Sequence, residues 1–235
     1  MLGCLMAAIL ASSACADETS LKKAIQAAHP KVKVESVSKT PYSGLYEVFL
    51  DGQIIYTDEK FSFFIAEGRL IDPKTKKDLT SQRMEQLTRI DFDGLPLDQA
   101  IKVTKGNGSR KLAVFSDPDC PYCKRLEQNE LISINDVTIY TFLFPLEGLH
   151  PDSGNKARAI WCAPDRGRAW QEWTLSGQLP AGSANCEAPV DKNLELGRKL
   201  GVSSTPTLYF ADGKRLLGAY PAKDIEKMLN AAAKK

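Results

Sequence analysis

In Cys120-Pro121-Tyr122-Cys123, two cysteines stand two residues apart, a spacing that lets a dithiol close into a disulfide and reopen. Residues 111–115 read as a strand and the chain from Pro121 onward as a helix. Cys120 therefore sits at a strand-to-helix junction, with Pro121 at the first helical position, where its missing N–H costs nothing. A thiolate there meets free backbone donors and the positive end of the helix. Both lower its pKa, and each unit is worth about 1.4 kcal/mol of preference for the charged form.

A lower pKa does not simply make a better attacker, because nucleophilicity falls with a Brønsted slope of about 0.4–0.5. The two effects nearly cancel over a shift of roughly three units, which leaves leaving ability and stability of the reduced form as the gains. Cys120 is thus expected to attack a foreign disulfide, form a mixed disulfide, and be expelled when a substrate thiol attacks in turn. Cys123, one turn along and expected to be buried, is the escape nucleophile that frees a stalled substrate.

Two plainer readings compete: a local disulfide, or half of a zinc site. Zinc needs two further ligands, and only His29, His150 and distant cysteines are on offer. Beyond 1–16 the cysteines are Cys120, Cys123, Cys162 and Cys186, which allow three pairings. Spacing favours 120 with 123 and 162 with 186. The second pair brackets a segment rich in Gly, Ala and Pro. A bridge there is read as structural rather than as a second redox centre, and is worth roughly 3–4 kcal/mol. His29 and His150 read as surface histidines, Trp161, Trp170 and Trp173 as packing, and Asp117 and Asp119 as solvated loop charges.

The positioning elements follow from periodicity. Residues 21–29 read as a short amphipathic helix ended by Pro30, with extended chain from Val32. Strands at 45–50 and 53–57 flank Asp51-Gly52, a strong hairpin signal, and 61–66 is expected to pair with 69–71 across Glu67-Gly68. Residues 78–90 read as a helix with Leu79, Met84, Leu87 and Ile90 on one side, a rod connecting two domains. Asp93-Gly94-Leu95-Pro96 marks the boundary. Beyond it come strands at 111–115, 137–142, 207–210 and 215–219. Between and after them, helical patterns run at 156–175, 192–200 and from Ala222, an order that predicts an α/β sheet domain.

Residues 1–16 read as an export signal ending in Ala14-Cys15-Ala16, too short for the roughly 20 apolar residues of a membrane span. Met1 to Cys4 carries no Lys or Arg, which points to an unusual signal or a start further upstream; lipidation of Cys15 is the alternative. With 31 basic and 29 acidic residues mixed along the chain, nucleic-acid binding has no electrostatic support. An even cysteine set suits an oxidising compartment.

Three segments carry a resemblance to a known family. They are Phe115-Ser116-Asp117 leading into Cys120-Pro121-Tyr122-Cys123-Lys124, Ala159-Ile160-Trp161-Cys162-Ala163, and Leu200-Gly201-Val202-Ser203-Ser204-Thr205-Pro206-Thr207. In these the chain resembles the bacterial periplasmic disulfide isomerases of the DsbC/DsbG group, within the thioredoxin-like superfamily, closer to DsbC because of Cys162 and Cys186. The resemblance implies a two-domain α+β architecture. A cystatin-like N-terminal dimerisation domain (17–77) and a helical linker (78–93) would precede a thioredoxin-like α/β domain with a helical insertion (94–235). It implies a cis Thr205-Pro206 bond beside the dithiol, with Thr205 and Pro206 binding substrate; sequence alone favours trans. It also implies a periplasmic homodimer without cofactor or metal, acting on misfolded disulfide-containing exported proteins and kept reduced by a DsbD-like membrane reductant, with chaperone activity. Pro121 stands where DsbC proteins often have Gly, and Val114 where thioredoxin has a buried acid. Competing functions are a net dithiol oxidase and a DsbG-like chaperone or sulfenic-acid reductase.

Overall fold

The computed structural model describes residues 12–42, 44–181 and 186–234. The expected export signal lies largely outside them; its last residues, 12–16, are the backbone start of α1 (Ser12–Ala28), which runs on without a break. The described chain forms two compact units that divide between Leu87 and Thr88.

In the first unit, β1 (Val34–Lys39), β2 (Tyr46–Leu50), β3 (Gln53–Thr57) and β4 (Phe64–Ile65) form an antiparallel sheet in sequential order. Asp51 and Gly52 both take positive φ, as the tightest hairpin turn requires, and this fixes the β2–β3 register. The strand period of two splits the side chains. Val37, Tyr46, Val48 and Ile55 face Leu21 and Ile25 of α1, while Phe49, Ile54 and Tyr56 meet Met84 and Leu87 of α2 (Leu79–Leu87). Two expectations fail here. Residues 61–66 do not pair with 69–71; β4 pairs back onto β3, and the N terminus of α2 takes the later segment. There Leu79 N donates to Leu70 O at 2.8 Å and Leu70 N to Thr80 Oγ1 at 2.8 Å. The helix also stops at Leu87 instead of Ile90. Ile90 packs instead with Phe92 in the core of the second unit, and its N–H donates to Gly213 O at 3.1 Å.

The second unit is built on a five-stranded sheet in the order β5 (Ile101–Lys105), β7 (Val137–Leu143), β6 (Arg110–Ser116), β8 (Thr207–Phe210), β9 (Arg215–Leu217). Only β6 and β7 run parallel; the other neighbours are antiparallel. Strand β5 has no counterpart among the strands expected from sequence periodicity. β6 is central and buried on both faces, which is why its sequence is a near-continuous apolar run. Leu112 and Val114 face a core shared with Leu126 and Leu131, from the turns that follow α3 (Pro121–Arg125), and with Ile225 and Leu229 of α7 (Ala222–Ala232). Ala113 and Phe115 face Phe92, Phe142, Phe144, Val202 and Tyr209. The insertion comprises α4 (Ser153–Trp161) and α5 (Arg166–Ser176), which with Val190 of α6 (Val190–Lys199) bury Trp161, Trp170 and Trp173 against Ile101 and Leu143. Among the described residues no helix is long and apolar enough to cross a membrane.

Candidate active site around the Cys120–Cys123 dithiol

β6 delivers the chain through Ser116 and Asp117 to Cys120, the residue that caps α3 (Pro121–Arg125), with Pro121 in the first helical turn. α3 continues through a wider π turn at Leu126–Glu130 and a tight turn at Leu131–Ser133. Both sulfurs are reduced, but their settings differ. Cys120 is 5% exposed and Cys123 is fully buried, while Tyr122 between them is 61% exposed.

The Cys120 thiol is held down to about 5, chiefly because the Cys123 thiol can donate to its sulfur; the Thr205 hydroxyl and the backbone N–H groups of Cys123 and Tyr122 add to this against the cost of burial. The backbone donors expected from the helix start are therefore present but secondary, in keeping with an α3 of a single turn or so. Burial pushes Cys123 strongly upward, and its contact with Cys120 pushes the same way; the Ser116 side chain and the Asp117 backbone only partly offset this. One sulfur is thus disposed to be an anion and the other a proton donor to it.

The Thr205–Pro206 bond is cis. Thr205 O lies 3.4 Å from the Cys120 sulfur and accepts from it only while that sulfur carries its proton. The Thr205 hydroxyl oxygen is buried and makes no hydrogen bond in the structure, so its proton is free to turn toward that sulfur. Cys162 and Cys186 form a disulfide with Cα atoms 5.7 Å apart, tying the end of α4 to the segment that enters α6.

The structure corrects the expected roles of Asp117, Asp119, His150 and Trp173. Asp117 is no solvated loop charge: it is 0% exposed, and its carboxylate accepts from Asp119 N at 2.7 Å, Leu146 N at 2.6 Å and His150 Nδ1 at 3.0 Å. Its own carbonyl accepts from Cys120 N at 3.2 Å. His150 is no free surface histidine, since its side chain is only 24% exposed and is held on Asp117, which raises its pKa. Asp119 is paired with Lys156 of α4 at 2.7 Å. Trp173 does more than pack, because its indole N–H donates to Pro118 O at 2.7 Å and its ring lies beneath the ammonium groups of Lys124 and Lys156. Nothing local in the sequence marks these partners. They come from loops and helices far along the chain, folded over the end of β6.

Val114 is fully buried, so no acid lies at that point beneath the dithiol. A different carboxyl lies partly buried one turn beyond Cys123: Glu127 accepts from Trp170 Nε1 at 2.9 Å, and its partial removal from water pushes its pKa up. It lines a cavity of about 220 Å³ with Lys105, Leu131, Ile139 and Trp170. Among the described residues no group of three His, Cys, Asp or Glu side chains is placed to hold a metal.

Residues 97–233 match the model of a thioredoxin-like domain, and residues 12–81 match that of the disulfide bond isomerase protein N-terminal domain. The chain is 47% identical over 196 residues to the probable thiol:disulfide interchange protein DsbC of Bordetella pertussis, covering 83% of this chain and 68% of that protein. It is 26% identical over 217 residues to the thiol:disulfide interchange protein DsbC of Escherichia coli K12, covering 92% and 88%. A crystal structure of a disulfide interchange protein from Neisseria gonorrhoeae superimposes with a TM-score of 0.57 at 45% identity, over 60% of this chain and 100% of that one. A reduced dithiol at the head of α3, a thioredoxin-like domain and an isomerase-type N-terminal domain, together with these relatives, have one common meaning: the chain belongs to the DsbC family of thiol:disulfide interchange proteins.

Proposed function

We propose that the chain is a periplasmic protein disulfide isomerase that rearranges non-native disulfides in exported proteins, with Cys120 as attacking sulfur and Cys123 as resolving sulfur. The observation that carries this reading is the unequal placement of the two sulfurs, Cys120 at the head of α3 beside the cis Thr205–Pro206 bond and Cys123 fully buried one turn on, which drives their acidities apart. The Cys120 thiolate attacks one sulfur of a substrate disulfide; a Cys120–substrate bond forms and the other substrate sulfur leaves as a thiolate. Either a second substrate thiolate then displaces Cys120, completing isomerisation, or Cys123 loses its proton and displaces the substrate, leaving Cys120–Cys123 oxidised. A thiolate as weakly basic as Cys120 leaves readily, which favours the first route. A strongly raised Cys123 is slow to deprotonate, which lengthens the life of the mixed disulfide.

Thr205 and Pro206 are the proposed substrate contacts, Tyr122 is an exposed apolar neighbour, and Cys162–Cys186 is a structural bridge. For the first unit we propose a homodimerising role: the edge strand β4 leaves Phe63, Phe64 and Ile65 about half exposed, and a second copy would cover them. Chaperone activity and recharging by a DsbD-like membrane reductant belong to the same proposal.

The test is reactivation of a scrambled multi-disulfide protein. The intact chain should restore activity, Cys120→Ser should restore none, and Cys123→Ser should accumulate mixed disulfide. Full activity of Cys120→Ser would remove the reading. A net dithiol oxidase is the competing function, because a stabilised Cys120 thiolate also favours the reduced form and so makes the disulfide oxidising. A Cys120–Cys123 pair found oxidised at rest in cells would select it.

A further inference from the structure

His150 reaches the dithiol through a built contact. The loop after β7 folds back over the end of β6, with Phe144 N donating to Ser116 O at 2.8 Å and Leu146 N to the Asp117 carboxylate at 2.6 Å. This sets the His150 ring on Asp117 Oδ2 at 3.0 Å. Asp117 is also tied to both cysteines: its carbonyl holds the Cys120 backbone N–H, and its backbone lies against the Cys123 sulfur. A buried carboxylate so close to Cys120 opposes a second negative charge, and an imidazolium on that carboxylate offsets it.

We propose that His150 is a positioning residue that, as an imidazolium bound to Asp117, stabilises the Cys120 thiolate, so that reduction of the Cys120–Cys123 disulfide is coupled to protonation of His150. The inference rests on Cys120 being the acidic sulfur, as the proposed function has it. The groups facing His150 are Asp117 at the end of β6 and Asp119 and Cys120 at the head of α3, all of which favour its charged form. Asp119 is partly neutralised by Lys156 of α4, which also reaches Asp152 at 3.4 Å, so Asp117 and Cys120 are left as the dominant partners.

Dithiothreitol supplies the two electrons of reduction as its own thiols close to a disulfide. One of its two protons ends on the Cys123 sulfur. The other goes to His150 wherever that ring is neutral, and otherwise to solvent, while Cys120 stays a thiolate. By reciprocity, whatever factor the thiolate adds to proton binding at His150 the imidazolium adds to thiolate formation at Cys120.

The chain has two histidines, and His29 in the first unit serves as internal control. NMR titration of the unmodified protein, oxidised and reduced, should show the His150 midpoint higher in the reduced state by about half to one pH unit, with His29 unchanged. In His150→Gln the pH midpoint of Cys120 alkylation should rise by a similar amount, roughly three- to tenfold in thiolate formation. His150→Lys should keep the low Cys120 midpoint and lose the His150-linked step from the pH profile of the reduction potential. Identical His150 midpoints in the two redox states overturn the proposal, and so does an unmoved Cys120 midpoint in folded His150→Gln. Ordinary acidity of Cys120 in the unmodified protein is a separate outcome, and sinks the nucleophile assignment itself.

Discussion

Cys120 and Cys123 share one helical turn, yet burial and mutual hydrogen bonding drive their acidities apart. The consequence for pH is signed. A free thiol stands at 9.0 and Cys120 near 5, so its contribution to the stability of the reduced protein is complete above pH 9 and is lost as pH falls through 5. Cys123 acts oppositely: its contribution is complete below the free-thiol value and declines only in alkali. The reduced protein should therefore gain stability relative to the oxidised one as pH rises from 4 to about 8, read by denaturant titration at each pH. A difference independent of pH would contradict a depressed Cys120. Val114→Asp tests the slow-escape idea at the same scale. An acid beneath the dithiol should shorten the mixed-disulfide lifetime, measured by quenched-flow trapping against a folded Val114→Asn control.

At the scale of elements, the site is held by close approaches that a composition count does not reveal. Gly197 on α6 lies where an added Cβ would run into the Phe144 ring, just where the chain leaves β7 for the loop carrying Leu146 and His150. Ala normally exceeds Gly in a helix by about 1 kcal/mol, but overpacking typically costs 1–3 kcal/mol. Gly197→Ala is thus expected to lose stability, by roughly 1 kcal/mol, and to slow exchange by disturbing the Asp117 contacts. A stabilised variant would show that Phe144 yields freely. The Cys162–Cys186 bridge fastens α4 to the approach to α6. Replacing both cysteines by Ala should cost roughly 3 kcal/mol while leaving Cys120 chemistry in place. Loss of exchange in a folded variant would mean that this pair takes part in it.

For the whole molecule the question is whether the two units must act together. The second unit has its own sheet, cores and dithiol, so residues 88–235 should fold and exchange thiols by themselves. Reactivation of a scrambled protein should fall sharply in that fragment if the first unit supplies dimerisation. Sedimentation should report a dimer for the intact chain and a monomer for Phe64→Glu. Equal isomerase activity of the fragment and the intact chain would count against a need for pairing.

Periodicity and turn chemistry in the sequence by itself determined the β2–β3 hairpin, the central strand, the helix opening at Pro121 and the dithiol upon it, because these are set by residues within a few positions of one another. The end of α2 at Leu87 and the strand β5 were not legible, since each depends on a partner distant in sequence, while 61–66 had a neighbour on either side and took β3 because the N terminus of α2 holds 69–71. Tertiary structure alone decided that Asp117 is buried and that His150 reaches it, whereas Thr205 beside Cys120 was already implied by the family resemblance. A charge's environment is set by whatever packs over it. Here that is a loop and two helices which follow the cysteines in the chain and meet them only in the fold.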